Sequence, residues 1–140
     1  MSINFYKEDF SGRIIDQKKR KNWINFAIEK EKFKCGDLSF IFCFDEYLLK
    51  INKEYLNHDY YTDIITFNYV EGNIISGDIF ISIDRVRDNA QQYGVSFENE
   101  LSRVIIHGVL HLIGFDDKDE SSQSIMRMKE DEYLLELSKF

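Results

Sequence analysis

The sequence has no proline, two cysteines and three histidines among its 140 residues. Without proline, its turns must rely on glycine, asparagine and aspartate. Two cysteines, Cys35 and Cys43, are too few for a disulfide framework, and we interpret both as reduced, structural thiols. No apolar run approaches the roughly 20 residues that a bilayer-spanning helix needs, and the N-terminus lacks the basic-then-apolar order of a secretory signal. We therefore expect a cytoplasmic protein with no membrane segment.

The chain carries a formal net charge of −7, which excludes a protein that coats nucleic acid by charge alone. A local basic surface can still bind phosphate, and the densest basic run is 18–21, which we interpret as the solvated face of a helix. The 44% of hydrophobic residues suffices for one packed core. No linker, repeat or low-complexity stretch divides the chain, so we predict a single domain over residues 1–140.

The hydrophobic pattern predicts helices and strands in a mixed order. We predict strands over 4–7, 38–44, 63–70 and 74–83, the last two joined as a hairpin through 71–73. We predict helices over 15–32, 46–56, 85–93 and 120–137, and a central one that Ser96 caps and Gly114 ends; Asp84 is the predicted cap of the helix over 85–93. The expected fold class is α/β or α+β. It comprises a small mixed sheet of about four strands, helices packed on it, and a zincin-like buried helix beneath a cleft.

Two of the three histidines, His107 and His111, stand four residues apart in the apolar half of the central helix. On a helix both imidazoles project from one face about one turn apart, close enough to share an ion at about 2.0 Å each. Two buried imidazoles without a ligand would leave ring nitrogens unsatisfied in a dry core. The pair therefore indicates a metal site. The alternative is two core histidines hydrogen-bonded to backbone carbonyls.

Carboxylates follow the histidine pair directly. Gly114 can end the helix in a left-handed turn, which places Asp116 and Asp117 near the open side of the pair. Either carboxylate can supply the third ligand. Three protein ligands leave a fourth tetrahedral position for water, as in catalytic zinc sites, and no cysteine lies nearby in sequence to close it. We expect one divalent ion, Zn²⁺ for preference, used for hydrolysis.

The segment from His107 to Asp117 resembles the signature of the YbeY family, which is known as metal-dependent single-strand endoribonucleases acting in ribosomal RNA maturation. The family pattern is His-Gly-x-Leu-His-Leu-x-Gly-aromatic-Asp-His, and every fixed position matches except the last, where this chain has Asp117. An upstream block agrees in order and spacing; it comprises Ile51-Asn52-Lys53-Glu54-Tyr55, Asp59, Thr62-Asp63-Ile64-Ile65-Thr66-Phe67 and Gly77-Asp78-Ile79. The resemblance spans about 52–132.

The resemblance implies His107, His111 and Asp117 as metal ligands and single-stranded RNA, expected to be ribosomal, as substrate. It also implies the ribosome or its proteins as partners. Asp117 in place of a third histidine can still coordinate zinc, but the bound water is expected to be less acidic. The carboxylate also makes Mn²⁺, Ni²⁺ or Fe²⁺ easier to accommodate. Leu56 stands where family members carry an arginine expected to hold phosphate, which predicts weaker activity unless His58 takes over that contact.

Gly108 occupies the position where zinc peptidases of the His-Glu-x-x-His type carry their glutamate base. Glycine cannot take a proton, so ordinary peptidase chemistry is not expected. The catalytic base is either the metal-bound water or Asp116, and the alternative for Asp116 is to accept the second ring N–H of a ligand histidine. Gly108 itself serves either the close approach of a strand or substrate, or tight packing.

Phosphate contacts must come from cations, with Arg85, Arg87, Arg103 and the run 18–21 as candidates. Bases of single-stranded RNA can stack on Tyr60, Tyr61 or Phe67. Two other functions stay open at this point: a ribosome-assembly factor with a mainly structural metal site, and a metal-dependent hydrolase of another bond, such as an amide. A basic cleft beside the metal would favour the nuclease. A closed four-ligand site would favour the assembly factor, and a narrow cleft with an apolar pocket would favour the hydrolase of another bond.

Overall fold

The computed structural model describes residues 2–9, 12–58 and 60–140. Asp59, part of the upstream block quoted above, lies outside the described residues. The elements in chain order are β1 (Ile3–Lys7), α1 (Gln17–Lys30), β2 (Lys34–Cys43), α2 (Asp45–Leu56), β3 (Ile64–Asn68), β4 (Ile74–Ser82), α3 (Ile83–Tyr93), α4 (Phe97–Ile113) and α5 (Glu120–Leu137). None of these helices is long and apolar enough to cross a membrane.

The four strands form one mixed sheet in the order β1-β2-β4-β3. β1 and β4 each run parallel to β2, whereas β3 runs antiparallel to β4. The predicted hairpin between the last two strands is confirmed, and Gly72 takes a positive φ of 58° in its turn, a conformation that glycine adopts at no steric cost. The mixed α/β class and the four-stranded sheet are therefore as predicted.

Buried apolar residues alternate along the two central strands and form the surface on which helices pack. Alternate residues of β2 and β4, namely Leu38, Phe40, Phe42, Ile75, Ile79 and Ile81, are fully buried. Because side chains of a strand point alternately to opposite faces, these residues form one apolar surface. α1 and α4 pack on the sheet and share its core cluster.

α4 is the buried central helix that the sequence predicts. Its buried residues include Val104, Ile105, Ile106, Val109 and Leu110, and it contacts α1, α3, α5, β3 and β4. The Ser96 side chain accepts a hydrogen bond from the Asn99 backbone N–H at 3.1 Å, and Gly114 ends the helix with a φ of 125°. Both ends of the helix are therefore set by local sequence.

Three predictions of detail were wrong. Ser82, not Asp84, caps α3 by accepting from the Arg85 backbone N–H at 3.2 Å, because the helix begins two residues earlier than predicted. Arg20 in the basic run is buried instead of solvated, and it donates to the Ser102 hydroxyl at 2.9 Å and pairs with Glu98. The helical pattern of α5 predicts packing through Ile125, Met128, Tyr133, Leu134 and Leu137, but Ile125 and Met128 are exposed, and the buried residues are Met126, Glu130 and Tyr133.

Gly108 lies on the side of α4 that packs against Ile64 of β3 and Ile79 of β4. A Cβ atom there would lie 2.9 Å from the Ile64 Cδ1 atom and 3.1 Å from the Ile79 Cγ2 atom. Gly77 on β4 is more constrained, since a Cβ atom would lie 2.6 Å from the Phe67 carbonyl oxygen. Packing of α4 against β3 and β4 accounts for Gly108.

We predict that Gly77→Ala destabilises the fold more than Gly108→Ala. The backbone carbonyl opposite Gly77 cannot move without breaking the β3–β4 pairing, so the expected loss in free energy of unfolding is about 1–3 kcal/mol. At Gly108 the ends of two isoleucine side chains can shift, and alanine gains about 1 kcal/mol in helix propensity. Urea denaturation of both variants measures the difference. An equal or larger loss for Gly108→Ala would contradict this account of the packing.

Candidate metal centre

His107 and His111 project from the same face of α4 with their ring centroids 4.6 Å apart and their planes inclined at 76°. Their side chains are 21% and 28% exposed, so each ring is held by the core yet reaches the surface. The helix supplies this geometry, since residues four apart are neighbours on one face. The predicted pairing of the two imidazoles is therefore present.

Asp117 faces both rings from the loop that follows Gly114. Its Oδ2 atom lies 3.5 Å from Nε2 of His107, and its Oδ1 atom lies 3.5 Å from Nε2 of His111. One ligand atom from each of the three residues lies within 4.8 Å of the others, and no other such group occurs within residues 2–9, 12–58 and 60–140. Two imidazoles and a carboxylate form a donor set that fits Zn²⁺ and other borderline divalent ions.

Glu130 on α5 fixes the orientation of His107. Its Oε2 atom accepts a hydrogen bond of 2.6 Å from Nδ1 of His107. A carboxylate on Nδ1 leaves the lone pair of Nε2 directed at Asp117, which is the tautomer that a metal requires. Burial alone would lower the pKa of His107, but the hydrogen bond and charge of Glu130 outweigh it, so the pKa is raised.

Arg103 holds Glu130 in turn. Its Nη1 atom donates to Oε1 of Glu130 at 2.7 Å, and its Nη2 atom donates to Asp131 at 2.6 Å. Burial would raise the pKa of Glu130, but the hydrogen bonds from His107 and Arg103 outweigh it, so the pKa is lowered and the carboxylate stays charged. Arg103, predicted as a phosphate contact, is thus engaged in holding Glu130 beside the candidate metal ligand His107.

His111 and Asp116 lie on the more open side of the centre. Burial and the charge of His107 lower the pKa of His111, which keeps its ring neutral and able to coordinate. Asp116 is exposed, and its carboxylate accepts from the Lys118 backbone N–H at 3.4 Å. The sequence offers Asp116 as the acceptor for the second ring N–H of a ligand histidine, but at His107 Glu130 accepts that hydrogen bond. A role for Asp116 as the catalytic base stays a prediction.

A cleft of about 840 Å³ opens beside the centre, and residues from α4, α5 and the loop between them line it. Arg127 is exposed at this cleft and also borders a smaller cavity of about 180 Å³, which Glu130 and His107 line as well. Asp63, at the start of β3, lines the smaller cavity. Its pKa is raised mainly by burial, against the charge of His107.

The other residues predicted to contact RNA lie elsewhere or have other partners. Arg85 pairs with Asp45 and Asp88, and Arg87 lies over the Phe97 ring. Leu56 is exposed at the end of α2, and the His58 ring stacks on Tyr60, its Nδ1 atom 3.0 Å from the Tyr60 hydroxyl. Tyr60 and Tyr61 are exposed, whereas Phe67 is half-buried between Tyr55 and Phe80.

The family model of the endoribonuclease YbeY matches residues 5–138. The chain belongs to the YbeY family. Curated relatives named endoribonuclease YbeY include one from Christiangramia forsetii, 53% identical over 131 residues, which are 93% of this chain and 90% of the relative. Another, from Parabacteroides distasonis, is 49% identical over 134 residues, which are 96% of this chain and 94% of the relative.

The fold also agrees with that of a solved structure. The solution structure of TM1509 from Thermotoga maritima has a TM-score of 0.67 and 27% identity, and covers 97% of this chain and 89% of that one. The motif resemblance noted in the sequence is thereby confirmed at the level of family and fold. Family membership supports an endoribonuclease, and hence hydrolase, role for this chain.

Glu130 belongs to this centre but is not among the site residues predicted from the sequence. It stands four residues after Met126 and three before Tyr133, so it shares their buried helical face. A carboxylate on an otherwise buried face is a signal in itself, because such groups stay buried only when paired. What the sequence does not reveal is which element that face meets.

We predict that Glu130→Gln weakens zinc binding by about tenfold to a hundredfold, the usual effect of losing a carboxylate that orients a ligand histidine. The amide oxygen can still accept from His107, but it lacks the charge that holds the ring. Competition with a chromophoric zinc chelator measures the affinity. Glu136→Gln, on the same helix and paired with Lys139, is the matched control and should bind zinc as the unmodified chain does. Equal affinities for the two variants would contradict the role given to Glu130.

Proposed function

We propose that this chain is a metal-dependent, single-strand-specific endoribonuclease, formed by one domain over residues 1–140 and acting in ribosomal RNA maturation in the cytoplasm. The observation that carries the proposal is the placement of Asp117 at 3.5 Å from Nε2 of both His107 and His111. Membership of the YbeY family supports RNA as the substrate. Ribosomal RNA, the ribosome and its proteins as partners come from the motif resemblance.

His107, His111 and Asp117 would hold one divalent ion, Zn²⁺ for preference, with Mn²⁺, Ni²⁺ or Fe²⁺ as alternatives that the carboxylate favours. When bound, such an ion polarises a phosphoryl oxygen and lowers the pKa of water for attack on phosphorus. Glu130 holds His107 in the required tautomer. Because the three candidate ligand residues are partly exposed, and His107 and Asp117 line an open cleft, the geometry supports a catalytic site over a closed structural one.

Binding of RNA by an acidic chain requires local positive charge. Arg127 is exposed at the cleft and has no hydrogen-bond or ion-pair partner within the parts of the chain that the structure describes. Arg103 is engaged by Glu130 and Asp131, so Arg127 is the better placed of the two to contact a phosphate. The exposed Tyr60 and Tyr61 rings remain candidates for base stacking.

We predict that purified protein cuts a labelled single-stranded RNA, that a chelator stops the reaction, and that added Zn²⁺ or Mn²⁺ restores it. Asp117→Asn and His111→Ala should each lower the rate by at least about a hundredfold, because each removes a ligand from a three-residue site. Asp117→His should retain zinc binding, since imidazole replaces carboxylate as the third ligand. Product analysis on a denaturing gel and zinc content by mass spectrometry provide the two readouts.

The control is Glu120→Gln, which removes an exposed negative charge at the cleft from a residue outside the series of contacts that joins Arg103, Glu130 and His107. Cleavage by Asp117→Asn at the unmodified rate would contradict the ligand assignment. Absence of cleavage by folded, zinc-loaded protein would contradict the nuclease itself and favour an assembly factor with a structural metal site.

A further inference from the structure

The smaller cavity beside the metal centre is lined by polar groups beyond the three candidate metal ligands. Its volume is about 180 Å³, and His107, Arg127 and Glu130 line both this cavity and the larger cleft. The remaining polar walls are formed by Asp63, Asn89, Tyr93, Glu100 and Arg103. Pockets for drug-sized ligands measure roughly 300–1,000 Å³. The cavity is therefore of a size for part of a nucleotide.

Glu100 is the most unusual of these side chains. It is 4% exposed, yet its carboxylate accepts no hydrogen bond and forms no ion pair with any residue that the structure describes. Burial raises the pKa of Glu100 despite the opposing charges of Arg103 and Arg127, and the charges of Asp63 and Glu130 add to the rise. The Glu100 oxygens are not among the fully enclosed polar atoms without a partner, so the carboxylate reaches the cavity. N–H donors from a ligand in the cavity would satisfy it.

Two neighbours of Glu100 on α3 also present unused polar groups. Within the described residues, neither the Asn89 amide nor the Tyr93 hydroxyl has a hydrogen-bond partner, and both side chains line the cavity. The Tyr93 ring is 57% exposed, so one face is available for stacking. Besides Glu130 and two arginines, the cavity thus combines two carboxylates, one amide and an aromatic face.

This combination does not suit an ion or a phosphate. Asp63 and Glu100 belong to no group of ligand atoms within 4.8 Å of one another, so in the described chain they do not converge on a cation. Three carboxylates line the cavity against two arginines, and one of these arginines, Arg103, is already paired with Glu130 and Asp131, so the lining disfavours a phosphate group. A planar base fits better, since unpaired RNA bases are recognised by stacking on aromatic rings and by hydrogen bonds along their Watson–Crick edges. Guanine presents two adjacent donors, N1–H and N2–H₂, on that edge.

We propose that the cavity formed by Asp63, Asn89, Tyr93 and Glu100 binds an unpaired guanine base of the RNA strand that crosses the metal centre. Glu100 accepts from the donor edge of the base, Asn89 contacts its remaining polar atoms, and Tyr93 stacks on its ring. Because His107 lines both spaces, a guanine bound here determines which phosphate faces His107, His111 and Asp117. The inference rests on the proposed function in that it takes RNA as the substrate.

The test measures binding apart from cleavage. The full chain, in EDTA, is titrated with fluorescein-labelled oligouridine of about ten nucleotides, a length within the site sizes of single-strand binding proteins. The central nucleotide is guanosine, inosine, which lacks the N2 amino group, or adenosine. We expect guanosine to bind about tenfold more tightly than either, because a donor to a charged acceptor is lost in both replacements. The same series is then repeated with Zn²⁺ at short times.

Variants test whether the cavity is responsible for the preference for guanosine. Glu100→Gln should abolish the difference in affinity between the guanosine and inosine oligonucleotides. Tyr93→Ala should weaken the binding of every oligonucleotide by about tenfold through loss of stacking. Glu71→Gln on the hairpin and Tyr6→Ala on β1 are exposed controls outside the cavity and should change neither quantity. Circular dichroism melting verifies that each variant is folded.

Two outcomes would overturn the inference: equal affinity of the unmodified chain for the three oligonucleotides, or an unchanged preference in folded Glu100→Gln. The first comparison needs no variant, so it decides even if Glu100→Gln does not fold. Cleavage without a base preference in binding would contradict the guanine site and leave the nuclease proposal intact. A guanine preference without cleavage by zinc-loaded protein would contradict the nuclease proposal and leave the guanine site intact.

Discussion

The hydrogen bond of 2.6 Å between Nδ1 of His107 and Glu130 is the interaction on which the rest of the site depends. It joins the buried central helix to the last helix and sets the direction in which Nε2 of His107 points. A buried carboxylate is tolerated there because Arg103 and His107 both donate to it. The same contact therefore stabilises the packing of α5 on α4 and determines whether His107 can coordinate a metal.

Much of this arrangement was predictable because it depends on local sequence. The spacing of His107 and His111 decides that they share a face, and Ser96 and Gly114 decide where that helix begins and ends. The glycine-containing turn at Gly72 likewise determines the hairpin. These features follow from helix geometry, capping and turn chemistry, none of which requires knowledge of distant residues.

The parts that escaped prediction depend on contacts between distant segments. Arg20 appeared to belong to a solvated basic run, but it is buried because Ser102 and Glu98, about 80 positions later, supply its partners. Glu130 is 23 residues from His107, and only the packing angle of α5 brings them together. Ser82 displaced Asp84 as the cap of α3 because the strand before it ends one residue earlier than its apolar pattern suggests.

The three metal-binding candidates differ in how firmly the fold holds them. His107 and His111 stand on a helix anchored by the core, whereas Asp117 is 43% exposed and lies on the connection between Gly114 and the capping box that begins α5. Local opening free energies are lowest in exposed connections and highest in core helices. Of the three residues that would hold an ion, Asp117 would therefore detach at the lowest cost in free energy. The retention of an ion would be limited by the six-residue connection over 114–119 and not by the stability of the fold.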